Sequence, residues 1–298
     1  MNVDLHCHST NSDGTWSVEQ ILKEAERKGV KVLAITDHDN FLGSIEAKQI
    51  AEQHFTGILI PGIEISTRIK GKSLHFLAYL PSFEFDNESK LLQNLAKIRD
   101  SRVWRMKEMI KKANAIGFGI TFDEVLEEVT TGTDGTSQPA DVISRPHLAR
   151  VLVKKGYVET FEEAFDNFIA DGKPLYISRF SLEFSEWIEQ VSELEGIIVW
   201  AHPFEGYQDN FEEFLEYANH VTKFPIAGIE RIYNYEGKYN VSKEFQAKGN
   251  EYLDKIIKKN NYLITAGGDF HGNVGLLGEL DLSKEHVQNF LLRLNFSD

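Results

Sequence analysis

The chain has a single cysteine, Cys7, and no apolar run that approaches the roughly 20 residues needed to cross a bilayer. One cysteine excludes an intramolecular disulfide. Because the first residues also lack the basic and apolar parts of a signal peptide, we expect a cytoplasmic protein. Basic residues are few as well: 32 Lys and Arg stand against 46 Asp and Glu, which gives a net charge of −14. This balance argues against a broad surface that grips long nucleic acid by its phosphates, and we expect no membrane contact.

What the sequence does contain is a regular alternation of short apolar runs and amphipathic segments. Its 298 residues, 42% of them hydrophobic, fit one large α/β domain. The predicted strands lie at 3–8, 32–35, 58–60, 74–80, 196–201, 226–233 and 262–266, and helices are predicted at 18–28, 43–55, 183–193, 211–218 and 244–260. Apolar strands that alternate with helices favour parallel strands covered by helices. Seven of them predict a closed or nearly closed barrel with its site at the carboxyl ends of the strands.

The middle of the chain breaks this alternation. Helices are predicted at 88–116, 121–128, 146–155 and 161–170, and residues 130–140, which are rich in Thr, Gly and Ser, predict a mobile loop. We therefore expect a helical insertion, residues 82–178, over the mouth of a barrel that is formed by residues 1–81 and 179–298.

Histidines and acids follow most of the predicted strands. His6 and His8 are two apart on a strand, so both side chains point to one face while Cys7 points to the other. Asp269 and His271 repeat this spacing, and Glu64 can bridge two ions. The candidate ligands are His6, His8, Asp13, His38, Glu64, His75, His202, Asp269 and His271. Any one of them alone could be an ordinary surface or core residue, but the set predicts a multinuclear hydrolytic centre for Mn²⁺, Zn²⁺ or Fe²⁺.

Other residues predict how a phosphate would be bound and cleaved. Three divalent ions would outweigh three carboxylates, so an acidic protein can hold a cationic pocket. Arg145 is the main candidate for a phosphate clamp, because its planar fork matches phosphate oxygens, and Lys173 and Arg179 are further candidates. Arg145 could instead cap or salt-bridge a helix. The predicted catalytic residues are His202 and Asp269, although either His202 or a bound water could protonate the leaving group.

For some side chains the sequence allows two different roles. His147 could contact substrate or serve the fold. Either Asp37 or Asp39 could orient an imidazole. Three tyrosines could stack on a base or pack within a loop: Tyr233, Tyr235 and Tyr239.

The motifs at 4–8, 36–39, 62–66, 201–203 and 268–272 together resemble the PHP (polymerase and histidinol phosphatase) superfamily of metal-dependent phosphoesterases. The segments 145–150 and 172–176 are similar to its TrpH-like stand-alone branch, which dephosphorylates nucleotides. The resemblance implies a distorted seven-stranded barrel and three ions, with Mn²⁺ favoured. It also implies the ligands of each ion: one on His6, His8, Glu64 and Asp269; a second on Glu64, His75 and His202; and a third on Asp13, His38 and His271.

The predicted function is hydrolysis of phosphate esters of small nucleotides by a metal-activated water. Examples are the 3′-phosphate of nucleoside 3′,5′-bisphosphates and, by trimming from the 5′ end, short oligonucleotides. The alternatives are a phosphatase of another metabolite such as histidinol phosphate, a non-catalytic metal-stabilised module, and hydrolysis of a C–N bond. The complete ligand set argues against the module, and Arg145 favours a phosphate over a neutral amide. The sequence leaves the physiological substrate and the oligomeric state open.

Overall fold

The structure is a computed structural model that describes residues 1–84, 89–129, 140–236, 241–272 and 274–296. Its strands are β1 Asn2–Cys7, β2 Val32–Ile35, β3 Ile58–Leu59, β4 Gly62–Ile69, β5 Lys72–Tyr79, β6 Ile197–Trp200, β7 Gly228–Ile232, β8 Leu263–Ala266 and β9 Leu280–Asp281. Its α-helices are α1 Val18–Arg27, α2 Leu42–His54, α3 Lys90–Ala115, α4 Phe122–Glu127, α5 Arg145–Lys154, α6 Phe161–Ala164, α7 Phe184–Glu193, α8 Phe211–Val221, α9 Lys243–Asn260 and α10 Lys284–Arg293. A 3₁₀-helix covers Ala140–Val142, and a π-helix, Phe165–Ile169, continues α6. Within the described ranges, no helix combines the length and the apolar character that crossing a membrane requires.

Local sequence explains where the helices begin and end. Ser17 caps α1: its hydroxyl accepts the Gln20 backbone N–H, and the Gln20 side chain accepts the Ser17 backbone N–H. The helix stops before Gly29, whose φ of +71° suits a residue without a Cβ. Thr121 caps α4 in the same reciprocal way. These boundaries lie within one or two residues of the prediction.

The strands form two sheets, with the orders β3-β2-β1-β9 and β4-β5-β6-β7-β8. The ladders β1-β2-β3 and β6-β7-β8 are parallel, as predicted. The expectation of parallel strands is wrong for β5, which runs antiparallel to both β4 and β6. The sequence did not predict β4 or β9 as strands, and β9 runs antiparallel to β1. The reason lies at Lys70 and Gly71, which join β4 to β5 with φ of +50° and +84°. A turn this short allows only a hairpin, since parallel neighbours need a long crossover.

Two isolated parallel bridges connect the sheets. Cys7 pairs with Phe270, and His38 pairs with Glu64. Both bridges involve candidate ligands or their neighbours, so the junctions of the two sheets gather the polar clusters.

The α/β class is confirmed. The hydrogen-bonded ladders of the described residues form two sheets, and the closed seven-stranded barrel stays a prediction.

The long helix α3 belongs to two hydrophobic cores. Leu95, in its first half, packs in the main core with the strands and α7, whereas Met109, in its second half, packs in another. The buried members of this second core all come from residues 106–175, and they include Leu148 and Leu152. A separate core is what an insertion requires, although the limits 82–178 stay a prediction. The loop predicted at 130–140 lies outside the described residues except for Ala140.

Candidate metal centre

The nine candidate ligands lie together at the ends of strands. His6 is on β1 and His8 directly follows it, and both imidazoles are fully buried. Cys7, between them, points the other way and donates its S–H to the Ala34 carbonyl. The remaining ligands lie on or after the other strands: Asp13 in the loop after β1, His38 after β2, Glu64 on β4, His75 on β5, His202 after β6, and Asp269 and His271 after β8.

Glu64 is the centre of the cluster. Its carboxylate is almost completely buried and contacts five imidazoles. Its Oε2 lies 3.0 Å from Nε2 of His8, 3.3 Å from Nε2 of His6 and 3.1 Å from Nδ1 of His38. Its Oε1 lies 2.9 Å from Nε2 of His202 and 3.1 Å from Nδ1 of His75. One carboxylate therefore presents one oxygen to each of two sets of imidazoles.

The cluster divides into three groups, in each of which the ligand atoms lie within 4.8 Å of one another. The groups are His6, His8, Glu64 and Asp269; Glu64, His75 and His202; and His8, Asp13, His38 and His271. The structure thus brings together the sets that the resemblance implied and adds His8 to the last. In that last group, Asp13 Oδ1 lies 3.4 Å from Nε2 of His271 and 3.7 Å from Nδ1 of His8.

The cluster fits divalent cations because several of its ligand atoms are buried and unsatisfied. Five of them make no hydrogen bond within the described part of the chain: His6 Nε2, His8 Nε2, Asp13 Oδ1, His38 Nδ1 and Glu64 Oε2. Leaving such an atom buried costs about 1–3 kcal/mol. Shared cations would satisfy all five, and imidazole with carboxylate suits Mn²⁺, Zn²⁺ or Fe²⁺.

The charges of the cluster favour ionised carboxylates. Burial alone would raise the pKa of Glu64, but the surrounding imidazoles outweigh it and hold this pKa well below its usual value. The pKa of Asp13 is lowered in the same way. Burial alone would lower the pKa of His6, but the charges of Glu230, Glu64 and Asp269 raise it to about 9. Both carboxylates are therefore in the form that binds cations at neutral pH.

Three further residues hold the ligands, and the sequence analysis did not find two of them. Glu230, on β7, contacts Nδ1 of His6 and accepts the His202 backbone N–H. Glu205 Oε2 lies 3.0 Å from Nδ1 of His202. The hydroxyl of Tyr233 donates to Asp269 at 2.7 Å. An acid within the apolar run of β7 was the signal that could have identified Glu230.

The structure also shows the contacts of the other residues for which the sequence allowed two roles. Asp37 accepts hydrogen bonds from the loop that carries Asp13, through Ser9 and Ser12. Nδ1 of His147 accepts the Ser144 backbone N–H at 2.9 Å, which favours its role in the fold. Tyr235 is buried and packs against Phe204, so packing is favoured over base stacking. Tyr239 lies outside the described residues.

A cavity of about 310 Å³ opens beside the cluster. Asp13, His38 and His75 contribute to its wall, together with five arginines: Arg68, Arg102, Arg105, Arg145 and Arg179. Lys173 is exposed and does not line the cavity, so the structure gives its predicted phosphate contact no support. The cavity is thus cationic on the side away from the cluster.

The five arginines differ in how their charges are balanced. Arg68 pairs with Asp171 at 2.6 Å. Arg102 and Arg179 share Asp39, at 2.7 and 2.8 Å, and these charges hold the pKa of Asp39 far below its usual value against the effect of burial. The other two, Arg105 and Arg145, have no ion pair within the described ranges.

Arg145 is held by aromatic rings. Its guanidinium carbon lies 5.8 Å from the ring centre of Phe165 and 6.0 Å from that of Tyr176. Arg105 is buried, and its Nε makes no hydrogen bond to the described residues. Two positive charges of the cavity are therefore open to an anion.

Comparison with known proteins finds a family model and several relatives that match this chain. The family model of the PHP domain matches residues 4–282. The chain is 32% identical over 202 residues to a 5′-3′ exoribonuclease of Haemophilus influenzae, and the aligned region covers 67% of this chain and 68% of the relative. It is 28% identical over 279 residues to a 3′,5′-nucleoside bisphosphate phosphatase of Chromobacterium violaceum, and this aligned region covers 91% of this chain and 87% of the relative.

A solved structure shares the whole fold. A protein of Bifidobacterium adolescentis assigned as a metal-dependent phosphoesterase superposes with a TM-score of 0.76 at 29% identity, over 99% of this chain and 96% of that one. The match to the family model covers far more than half of the residues. The chain therefore belongs to the PHP domain family.

Proposed function

We propose that this protein hydrolyses phosphate esters of small nucleotides, with the 3′-phosphate of nucleoside 3′,5′-bisphosphates as the favoured substrate and trimming of short oligonucleotides from the 5′ end as a related activity. The observation that carries the proposal is the contact between the nine-residue cluster and the arginine-lined cavity, which share Asp13, His38 and His75. The relatives named as a bisphosphate phosphatase and an exoribonuclease support the same substrate class.

The metal ions belong to this proposal. The three groups of ligands would hold three divalent ions, with Mn²⁺ favoured, at the mouth of a distorted barrel. When bound, such ions lower the pKa of a coordinated water and withdraw charge from phosphate oxygens. The nine ligands include no serine or cysteine, and we assign the attack to a water.

The protein's own residues orient the reaction. Asp39 fixes Arg102 and Arg179 at the wall of the cavity, and Arg102 also donates to the His38 carbonyl. The phosphate-binding side and the ligand side are thus one connected network. His202 is a poor leaving-group acid here, because one ring nitrogen faces Glu64 and the other faces Glu205. We therefore assign protonation of the leaving group to solvent.

The arginines favour a substrate with two phosphates. If one phosphate lies at the cluster, a second can reach Arg105 and Arg145, neither of which has an ion pair among the described residues. A charge-assisted, bidentate contact of this kind contributes about 1.5–3 kcal/mol. Histidinol phosphate has one phosphate and a neutral amide has none, so both would leave these cations uncompensated.

The test is a screen for phosphate release by the Mn²⁺-loaded protein. The substrates are nucleoside 3′,5′-bisphosphates, the matching 3′-monophosphates, dinucleotides, histidinol phosphate and sugar phosphates. We expect kcat/KM for a bisphosphate to exceed that for the matching 3′-monophosphate by about 10- to 100-fold, as the free energy of the second contact requires. Equal rates on bisphosphate and histidinol phosphate would contradict the proposal.

A further inference from the structure

Glu230 makes contacts that join two of the three ligand groups. Its Oε1 lies 3.0 Å and its Oε2 3.2 Å from Nδ1 of His6. The same Oε2 accepts the backbone N–H of His202 at 2.8 Å. His6 belongs to the first group and His202 to the second. Glu230 is itself almost completely buried, so these contacts are shielded from water.

The contact with His6 decides which ring nitrogen can bind a cation. A carboxylate beside Nδ1 keeps a proton on that nitrogen, so a cation binds the ring through Nε2 and displaces any proton there. Nε2 of His6 lies 3.3 Å from Glu64 Oε2 and 3.5 Å from Asp269 Oδ1, inside the first group. Glu230 therefore leaves Nε2 of His6 as the nitrogen that faces the cluster and can bind metal.

The contact with His202 acts on the backbone. His202 has φ of +22°, a conformation that residues with side chains seldom adopt. The hydrogen bond from its N–H to Glu230 holds this conformation, and with it the side chain that faces Glu64. The carboxylate therefore fixes a ring in one group and a backbone in the other.

The close approach depends on Gly267. A Cβ at this position would lie 2.3 Å from the Cβ of His6 and 2.6 Å from Glu230 Oε1. No real contact is this short, so only glycine lets β8 pass beside the pair. Three strands, β1, β7 and β8, thus meet at one carboxylate.

We infer that Glu230 is a positioning residue that couples metal binding in the first and second groups, whereas its contacts with His6 and His202 involve no member of the third group, His8, Asp13, His38 and His271. The inference rests on the proposed metal centre. It concerns how tightly individual ions bind, and so it can be tested without measuring catalysis.

The main test is the variant Glu230→Gln. An amide offers one oxygen to two donors, so its NH₂ must face either the His6 ring N–H or the His202 backbone N–H. We expect Mn²⁺ binding to the first and second groups to weaken about 10- to 100-fold, the usual effect of losing such a partner, while the third site keeps its affinity. The measurement is calorimetric titration of metal-free protein with Mn²⁺ against a competing chelator.

Two matched acid-to-amide variants serve as controls. The Glu205 carboxylate contacts His202 and His75, both in the second group, so Glu205→Gln should weaken that site alone. Asp254 is exposed and pairs with Arg231, the neighbour of Glu230, so Asp254→Asn should bind Mn²⁺ like the wild type. Unchanged binding in Glu230→Gln, or equal loss at all three sites, would overturn the inference.

A second measurement does not depend on a variant that folds. In wild-type protein loaded with Cd²⁺, nitrogen NMR of labelled histidine should show a proton on Nδ1 of His6 and cadmium coupling to Nε2. Coupling to Nδ1 would overturn the role of Glu230. Wild-type protein that binds neither Mn²⁺ nor Cd²⁺ would instead overturn the proposed metal centre itself.

Discussion

Arg145 differs from its neighbours in the cavity because rings, and no described carboxylate, hold it in place. Its charge is therefore available to a substrate phosphate. We expect Arg145→Ala to raise KM for nucleoside bisphosphates about tenfold or more with a smaller change in kcat, since the contact binds ground state and transition state alike. The measurement is steady-state kinetics of phosphate release.

The chain supplies a matched control for this change. Lys173→Ala also removes one positive charge from the insertion, but Lys173 is exposed and away from the cavity wall, so its kinetics should stay those of the wild type. Unchanged kinetics for Arg145→Ala would remove Arg145 from the site. Equal losses in both variants would indicate a general effect of charge.

His147 predicts a specific dependence of stability on pH. Burial, and then the nearby charge of Arg150, lower its pKa from 6.5 to about 4. The unfolded chain thus binds a proton between pH 6.5 and 4 that the folded chain does not, so stability falls as pH falls through this window. The loss is on the order of 3 kcal/mol at most, at 1.36 kcal/mol for each pKa unit.

The variant His147→Gln isolates this effect. Its amide oxygen can still accept the Ser144 N–H and so keep the start of α5, but it cannot titrate. We expect urea unfolding to show a smaller loss of stability between pH 6.5 and 4 in the variant than in the wild type. Identical pH profiles would show that His147 titrates normally in the folded protein.

Among single residues, the sequence identified ligands better than the groups that hold them. His6 and His8 reveal themselves by their spacing on a strand. Glu230 and Glu205 act through contacts between strands that are far apart in the chain, and no local pattern encodes those contacts. Tyr233 packs against the main core, which is one of its two predicted roles, but the hydrogen bond from its hydroxyl to Asp269 was not predicted.

At the scale of elements, helix α3 connects the main core to the core of the insertion. Met109 and Leu95 are both fully buried, one in each core. Each change to alanine should destabilise its own core by about 2–5 kcal/mol. We expect Met109→Ala to lower hydrogen-exchange protection mainly in α4 and α5, and Leu95→Ala mainly in the strands.

The two variants control for each other, since both remove a large side chain from the same helix. Losses of protection spread evenly over the whole chain in both variants would show one cooperative unit. That result would remove the basis for treating residues 82–178 as a separate insertion.

Elements were predictable where the pattern is local. Caps and apolar spacing locate α1, α4 and α9 closely. The hairpin β4-β5 was not predicted, because residues 62–69 contain polar side chains that resemble a loop and are buried only through sheet pairing. Helix α10, which begins after Ser283, was also missed, although a serine cap signals its start.

At the scale of the whole molecule, an acidic chain concentrates imidazoles and arginines at one site. The net charge of −14 keeps most of the surface unattractive to polyanions. Within the site, buried ligand atoms remain unsatisfied until cations bind. The folded state should therefore bind divalent ions far better than the unfolded chain does, which links metal binding to stability.

This linkage gives a prediction for the intact protein. A ligand that binds only the folded state adds about 2.7 kcal/mol per site when its concentration is 100 times Kd. We expect exhaustive chelation to abolish phosphate release and lower Tm by several degrees, and Mn²⁺ to restore both. Glu64→Gln, which removes a ligand shared by two groups, should lose most of the rise in Tm that Mn²⁺ produces. A rate of phosphate release that survives chelation would defeat the metal mechanism, because no other described group supplies an activated water.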